Sequence, residues 1–147
     1  MLKYNKTLQV LNLQKCGLNN ISYFANALNY NTSLNKIFLQ YNNIIDINPF
    51  VDTLQNNYNI KILDLSHNKI KEINQLFEAL FYNETLIELN LNYNYIEDIS
   101  DLYEMIRNNK TLKILFLQSN CIRYFDVFEE IEKEIDKYNI DFQLYYK

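Results

Sequence analysis

Leu8, Leu34, Ile60, Leu86 and Leu112 recur at an interval of 26 residues that never varies. Three positions after each stand Leu11, Ile37, Leu63, Leu89 and Leu115, and two further on Leu13, Leu39, Leu65, Leu91 and Leu117. This alternation predicts a short strand in every copy. Cys16, Asn42, Asn68, Asn94 and Asn120 follow, then Leu18, Ile44, Ile70, Ile96 and Ile122, then Ile21, Ile47, Ile73, Ile99 and Phe125. The second half of each copy changes period: Phe24 and Leu28, Phe50 and Leu54, Leu76 and Leu80, and Leu102 and Ile106 are spaced i, i+4. That spacing marks the inner face of a helix of about two to three turns. Asn31, Asn57, Asn83 and Asn109 stand where these helices should end, a place for left-handed backbone at asparagine where glycine is absent.

LKILDLSHNKI, LIELNLNYNYI and LKILFLQSNCI each fit L-x-x-L-x-L-x-x-N/C-x-L, and Cys16 takes the N/C position of the first copy. Over roughly residues 2 to 125 the chain resembles the leucine-rich repeat family. The resemblance implies an α/β fold, a right-handed solenoid with a parallel concave sheet and convex helices. A 26-residue period lies between the short-helix type and the ribonuclease-inhibitor-like type, so true helices are expected on the convex side. It also implies that Asn42, Asn68, Asn94 and Asn120 point inward and satisfy backbone groups stranded by the turn after each strand, with Cys16 ending the ladder. Asn5, Asn31, Asn83 and Asn109 each open an N-x-S/T triplet. These recur because the repeat recurs, and their expected role is structural.

The chain divides into a partial repeat (1–7), five copies in phase (8–125, the fifth incomplete), and a C-terminal segment (126–147). Either Met1 begins a piece of a longer protein or the exposed N-terminal edge meets a partner, since terminal repeats need polar caps. In FDVFEEIEKEIDKY, Phe125, Phe128, Ile131 and Ile135 share one face of an amphipathic helix. Ile140, Phe142 and Leu144 alternate in NIDFQLYY and predict a sixth strand. Helix and strand together are expected to cap the stack, the alternative being a helix that docks onto another protein.

Composition narrows the functions. A net charge of -4 and a pI near 5.0 argue against a nucleic-acid binder. No apolar run reaches the length of a membrane span and no signal peptide opens the chain, so the expectation is a soluble, intracellular, cytoplasmic protein. Cys16 and Cys121, four repeats apart, are expected to be free thiols. One glycine, Gly17, leaves no phosphate-cradling loop. His67, the single histidine, has Asp64 three residues before it; without a Cys/His cluster or a nucleophile beside it, it is expected to be a surface residue. No enzyme activity, cofactor or metal is therefore expected.

In the implied curved stack, residues alternating with the leucines face the concave surface. They form the rows Val10, Lys36, Ile62, Glu88, Ile114 and Asn12, Phe38, Asp64, Asn90, Phe116, then Gln14, Gln40, Ser66, Asn92, Gln118, and beside the ladder Lys15, Tyr41, His67, Tyr93, Ser119. Phe38, Phe116, Ile62 and Ile114, with Tyr41, Tyr93, Asp64 and His67, are the candidate partner-binding residues, having the composition of interface anchors. Compositional drift is the competing reading. The function expected is a non-catalytic protein–protein interaction module, monomeric or part of a hetero-complex. The resemblance leaves open two alternatives: a regulator or activator of a GTPase or phosphatase, and a structural subunit of a cytoskeletal, axonemal or ribonucleoprotein assembly.

Overall fold

The computed structural model describes residues 1–123, 126–138 and 143–146. Its six strands are β1 (Val10–Asn12), β2 (Lys36–Phe38), β3 (Ile62–Asp64), β4 (Glu88–Asn90), β5 (Ile114–Phe116) and β6 (Gln143–Tyr145). They form one sheet in sequence order, every neighbour parallel. The register is the repeat itself: Leu11 pairs with Ile37, Ile37 with Leu63, Leu63 with Leu89, and Leu89 with Leu115. Parallel strands need crossovers, and here α1 (Ser22–Leu28), α2 (Asn48–Asn56), α3 (Asn74–Tyr82) and α4 (Leu102–Asn108) supply them. The fold is an α/β leucine-rich-repeat solenoid.

Between sheet and helices runs a continuous apolar core. Ile37, Leu63, Leu89 and Leu115 fill it from the strands, and Leu28, Phe50, Leu54, Leu76, Leu80, Leu102 and Ile106 from the helices, all buried. Phe24 is half-buried and meets Phe50 edge-on, ring centroids 6.1 Å apart. The first copy is less well covered. Leu8 is 38% exposed and Val10 47%, whereas Leu34, Ile60 and Leu86 at the position of Leu8 are wholly buried. A single 3-10 turn, Leu2–Tyr4, precedes this copy and packs against α1.

Beyond the fifth copy the helix α5 (Asp126–Tyr138) seats Phe128 and Ile131 in the core, with Ile135 partly buried. Leu144 on β6 packs against the same core. Phe125, Ile140 and Phe142, which the sequence places on these elements, lie outside the described residues.

The asparagines at the helix ends correct the sequence-based expectation. Asn57, Asn83 and Asn109 have φ of -98°, -75° and -71°, in extended rather than left-handed backbone. They are buried and build a ladder of their own. The Asn57 Nδ2 donates to the carbonyls of Leu28 (2.8 Å) and Asn31 (3.1 Å) in the preceding copy, and its Oδ1 accepts from the N–H groups of Asn59 and Ile60. Asn31 and Asn109 make the corresponding bonds, and Asn83 does so except that the Asn57 carbonyl accepts from the Thr85 hydroxyl. Here asparagine is selected for an amide that links two copies, so no positive φ is needed. Their burial also withholds Asn31, Asn83 and Asn109 from glycosylation.

Candidate functional site

The concave surface begins at the turn that ends each strand. Asn68 shows how the turn is held: its Nδ2 donates to the carbonyls of Leu39 (3.0 Å), Leu65 (3.0 Å) and Ser66 (3.2 Å). Its Oδ1 accepts from the N–H of Ile44 at 3.0 Å. Asn42, Asn94 and Asn120 repeat this pattern. Cys16 does not take part through its side chain as an inward residue would. It is exposed, its thiol reaches only the carbonyl of Gln14 (3.5 Å), and its backbone N–H donates to the Asn42 Oδ1 at 3.0 Å.

Left-handed backbone appears one residue before the ladder. Lys15, Tyr41, His67, Tyr93 and Ser119 have φ between 53° and 58°. Sequence reasoning missed this, because Lys, Tyr and Ser do not announce a positive φ and the one residue type that favours it, His67, stands in a single copy. The repeated geometry stacks their side chains. The Tyr41 and His67 rings lie 4.1 Å apart at 12°, and His67 and Tyr93 4.1 Å apart at 9°. The Lys15 ammonium lies 5.0 Å from the centre of the Tyr41 ring and closes that end of the column. Tyr41 and Tyr93 are nevertheless 45% and 52% exposed.

Three residues upstream the register sets Asn12, Phe38, Asp64, Asn90, Phe116 and, on β6, Tyr145 side by side. Phe38 and Phe116 therefore do not touch: Asp64 and Asn90 lie between them, three strand spacings or roughly 14 Å in all. Phe116 instead stacks on Tyr145 of β6, centroids 4.8 Å apart at 18°, a partner that the sequence reading did not place. The Asn90 Nδ2 donates to Asp64 at 3.4 Å. Ile62 sits between Lys36 and Glu88, and Ile114 between Glu88 and Gln143, each half-buried. The face thus offers aromatic groups at two places, an acidic and amide strip between them, and a stacked column along one border.

Among the described residues no three His, Cys, Asp or Glu side chains gather as a metal site would require. No helix among them is long and apolar enough to cross a membrane. Cys16 and Cys121 are both free and exposed. Arg123 pairs with Glu97 at 2.9 Å, and the Arg107 guanidinium lies 5.5 Å from the centre of the Tyr103 ring. Asp98, at the rim ahead of α4, has its carboxyl held below the usual range. The chief cause is the N–H of Ser100 donating to it (2.9 Å), and the Asn74 amide adds a second bond.

Two leucine-rich-repeat family models match the sequence, one over residues 59–80 and the other over residues 4–21. No curated protein matches it. Among solved structures, actin-binding site 2 of leiomodin-1 is similar with a TM-score of 0.74 at 21% identity, over 94% of this chain and 87% of that one. An internalin (inlF) of Listeria monocytogenes is similar with a TM-score of 0.61 at 24% identity, over 94% of this chain. Internalin C2 of the same bacterium gives a TM-score of 0.54 at 19% identity over 93%. The chain spans 35% and 60% of those two internalins. At these identities the likeness concerns the fold. Repeat, register, asparagine ladder and family matches together make this chain a leucine-rich repeat protein.

Proposed function

We propose that the chain is a non-catalytic interaction module that holds a segment of a partner protein across its concave sheet. The observation that carries this reading is the arrangement of half-exposed aromatics on a rigid scaffold: Phe38 on one side of the Asp64–Asn90 strip, Phe116 and Tyr145 on the other, and the Tyr41–His67–Tyr93 column along the border. Every strand supporting them is hydrogen-bonded on both sides except at the ends of the sheet, so little ordering is needed on binding. Apolar anchors flanking polar groups are the composition of binding hot spots. The test is affinity capture with the wild-type chain and with a Phe38→Asp, Phe116→Asp double variant whose circular dichroism and unfolding midpoint match wild type. Specific partners retained by wild type and lost by the variant are expected; partners held equally by both would overturn the concave assignment.

The likeness to an actin-binding site over nearly the whole chain motivates a second reading, a subunit of a cytoskeletal assembly. Co-sedimentation with filamentous actin tests it, and a chain that stays in the supernatant at saturating actin rejects it. A GTPase activator that supplies an arginine has less support, since Arg123 is paired with Glu97 and Arg107 rests on Tyr103.

A further inference from the structure

The convex side carries an open groove of about 300 Å³ between α3 and α4. Phe77 and Met105 form its floor, Phe81 and Tyr82 one wall, and Glu78, Asp101 and Glu104 the rim. The repeat gives a standard against which Phe81 is anomalous. The same repeat position is held by Asn29 just past the end of α1, by Gln55 on α2 and by Arg107 on α4, all polar. Phe81 is instead 38% exposed, and its ring meets that of Tyr82 with centroids 4.9 Å apart at 60°.

The charge around it has one sign. Glu78 and Glu104 occupy equivalent positions in successive copies, and Asp52 precedes them one copy earlier, so a line of carboxylates crosses the convex face. Neighbouring helix axes lie roughly 8–10 Å apart. Glu78 and Asp101 form no ion pair among the described residues, and the Glu104 carboxylate meets only the Asn108 amide at 3.4 Å. The nearest cation on α4, Arg107, is turned onto Tyr103.

We propose that this groove docks a basic segment of a partner protein. One apolar side chain of that segment seats over Phe77 and Met105 against Phe81, and flanking lysines or arginines meet Glu78, Asp101 and Glu104. Charge selects this occupant. Nucleic acid and anionic lipid are repelled by the rim, and a second copy of the chain carries a net charge of -4. The open angle between the Phe81 and Tyr82 rings suits a cation as well as an aliphatic stem.

The probe is a synthetic amphipathic peptide with one leucine anchor flanked by four lysines, titrated into the full chain and followed by amide chemical shifts. Its twin carries glutamates in place of the lysines. Shifts confined to α3 and α4 are expected with the lysine peptide, and none with its twin. Affinity should fall about tenfold in Phe81→Gln, a residue that the fold already accepts as Gln55, and as much in a Glu78→Gln, Glu104→Gln double variant. The concave Phe38→Asp, Phe116→Asp variant should bind the peptide like wild type, which separates this groove from the concave reading. Absence of binding, equal binding of both peptides, shifts scattered over other acidic surface, or undiminished affinity in Phe81→Gln would each overturn the proposal.

Discussion

Replacing Asn68 by alanine should reveal how the turns are held. Asn68 is 5% exposed and makes four hydrogen bonds, but their loss has unequal consequences. The Leu39 carbonyl keeps the Asn42 amide, the Leu65 carbonyl keeps the Asn94 amide, and the Ser66 carbonyl keeps the N–H of Tyr41. These three together should cost about 1 kcal/mol, because each retains a donor. The Ile44 N–H has no such reserve and is left buried and unpaired, at about 1–3 kcal/mol. The sum is about 3 kcal/mol, which at a urea m-value of about 2 kcal/mol/M lowers the midpoint by about 1.5 M. Asn42→Ala is the internal control. It frees the N–H groups of Cys16 and Leu18, but Cys16 is exposed and Leu18 half-buried, so water compensates and about 1 kcal/mol is expected. Equilibrium urea unfolding of both variants measures the difference. Equal losses, or a loss below about 0.5 kcal/mol for Asn68→Ala, would refute the view that shared carbonyls make the orphaned N–H decisive.

Further outcomes follow from the same geometry. Ser119, at φ 56° and exposed, should gain about 0.5–1 kcal/mol on replacement by glycine and lose about 1–2 kcal/mol on replacement by valine, by thermal or urea unfolding. The Asp98 carboxyl has a folded pKa below its unfolded value of about 3.9. Its contribution is therefore present above that pH and lost as pH falls through the folded value; being exposed, it should be small, and Asp98→Asn should flatten the acid limb of stability measured between pH 5 and 2. Both cysteines should react with a thiol reagent in the native state, giving two equivalents in absorbance without a slow class that appears only on unfolding.

Much of the fold was legible because period and burial coincide. Five copies in phase give the strand register residue by residue, and the i, i+4 pairs locate the helices. The inward Asn42, Asn68, Asn94 and Asn120 follow from the need to pair backbone groups that a sharp turn buries. The same logic was not extended to Asn31, Asn57, Asn83 and Asn109. A propensity for left-handed φ was assigned to residues whose amides in fact join successive copies. Left-handed backbone falls instead on Lys15, Tyr41, His67, Tyr93 and Ser119, the residue before each N/C position of the repeat. Stacking of Tyr41, His67 and Tyr93 could have been anticipated from their shared position in the repeat. The separation of Phe38 from Phe116 by Asp64 and Asn90 was also implicit in the register, whereas the pairing of Phe116 with Tyr145 was not, because β6 follows a break in the 26-residue phase.

The claim that the concave sheet is the binding surface is tested most directly by site-specific photocrosslinking. A benzophenone amino acid at Phe38 on the concave face is compared with one at Tyr23, exposed on the convex face of α1. Concave binding predicts a discrete adduct with one partner from position 38, suppressed by Phe116→Asp, and no such adduct from position 23. An adduct formed from position 23 while position 38 stays unlinked would contradict it.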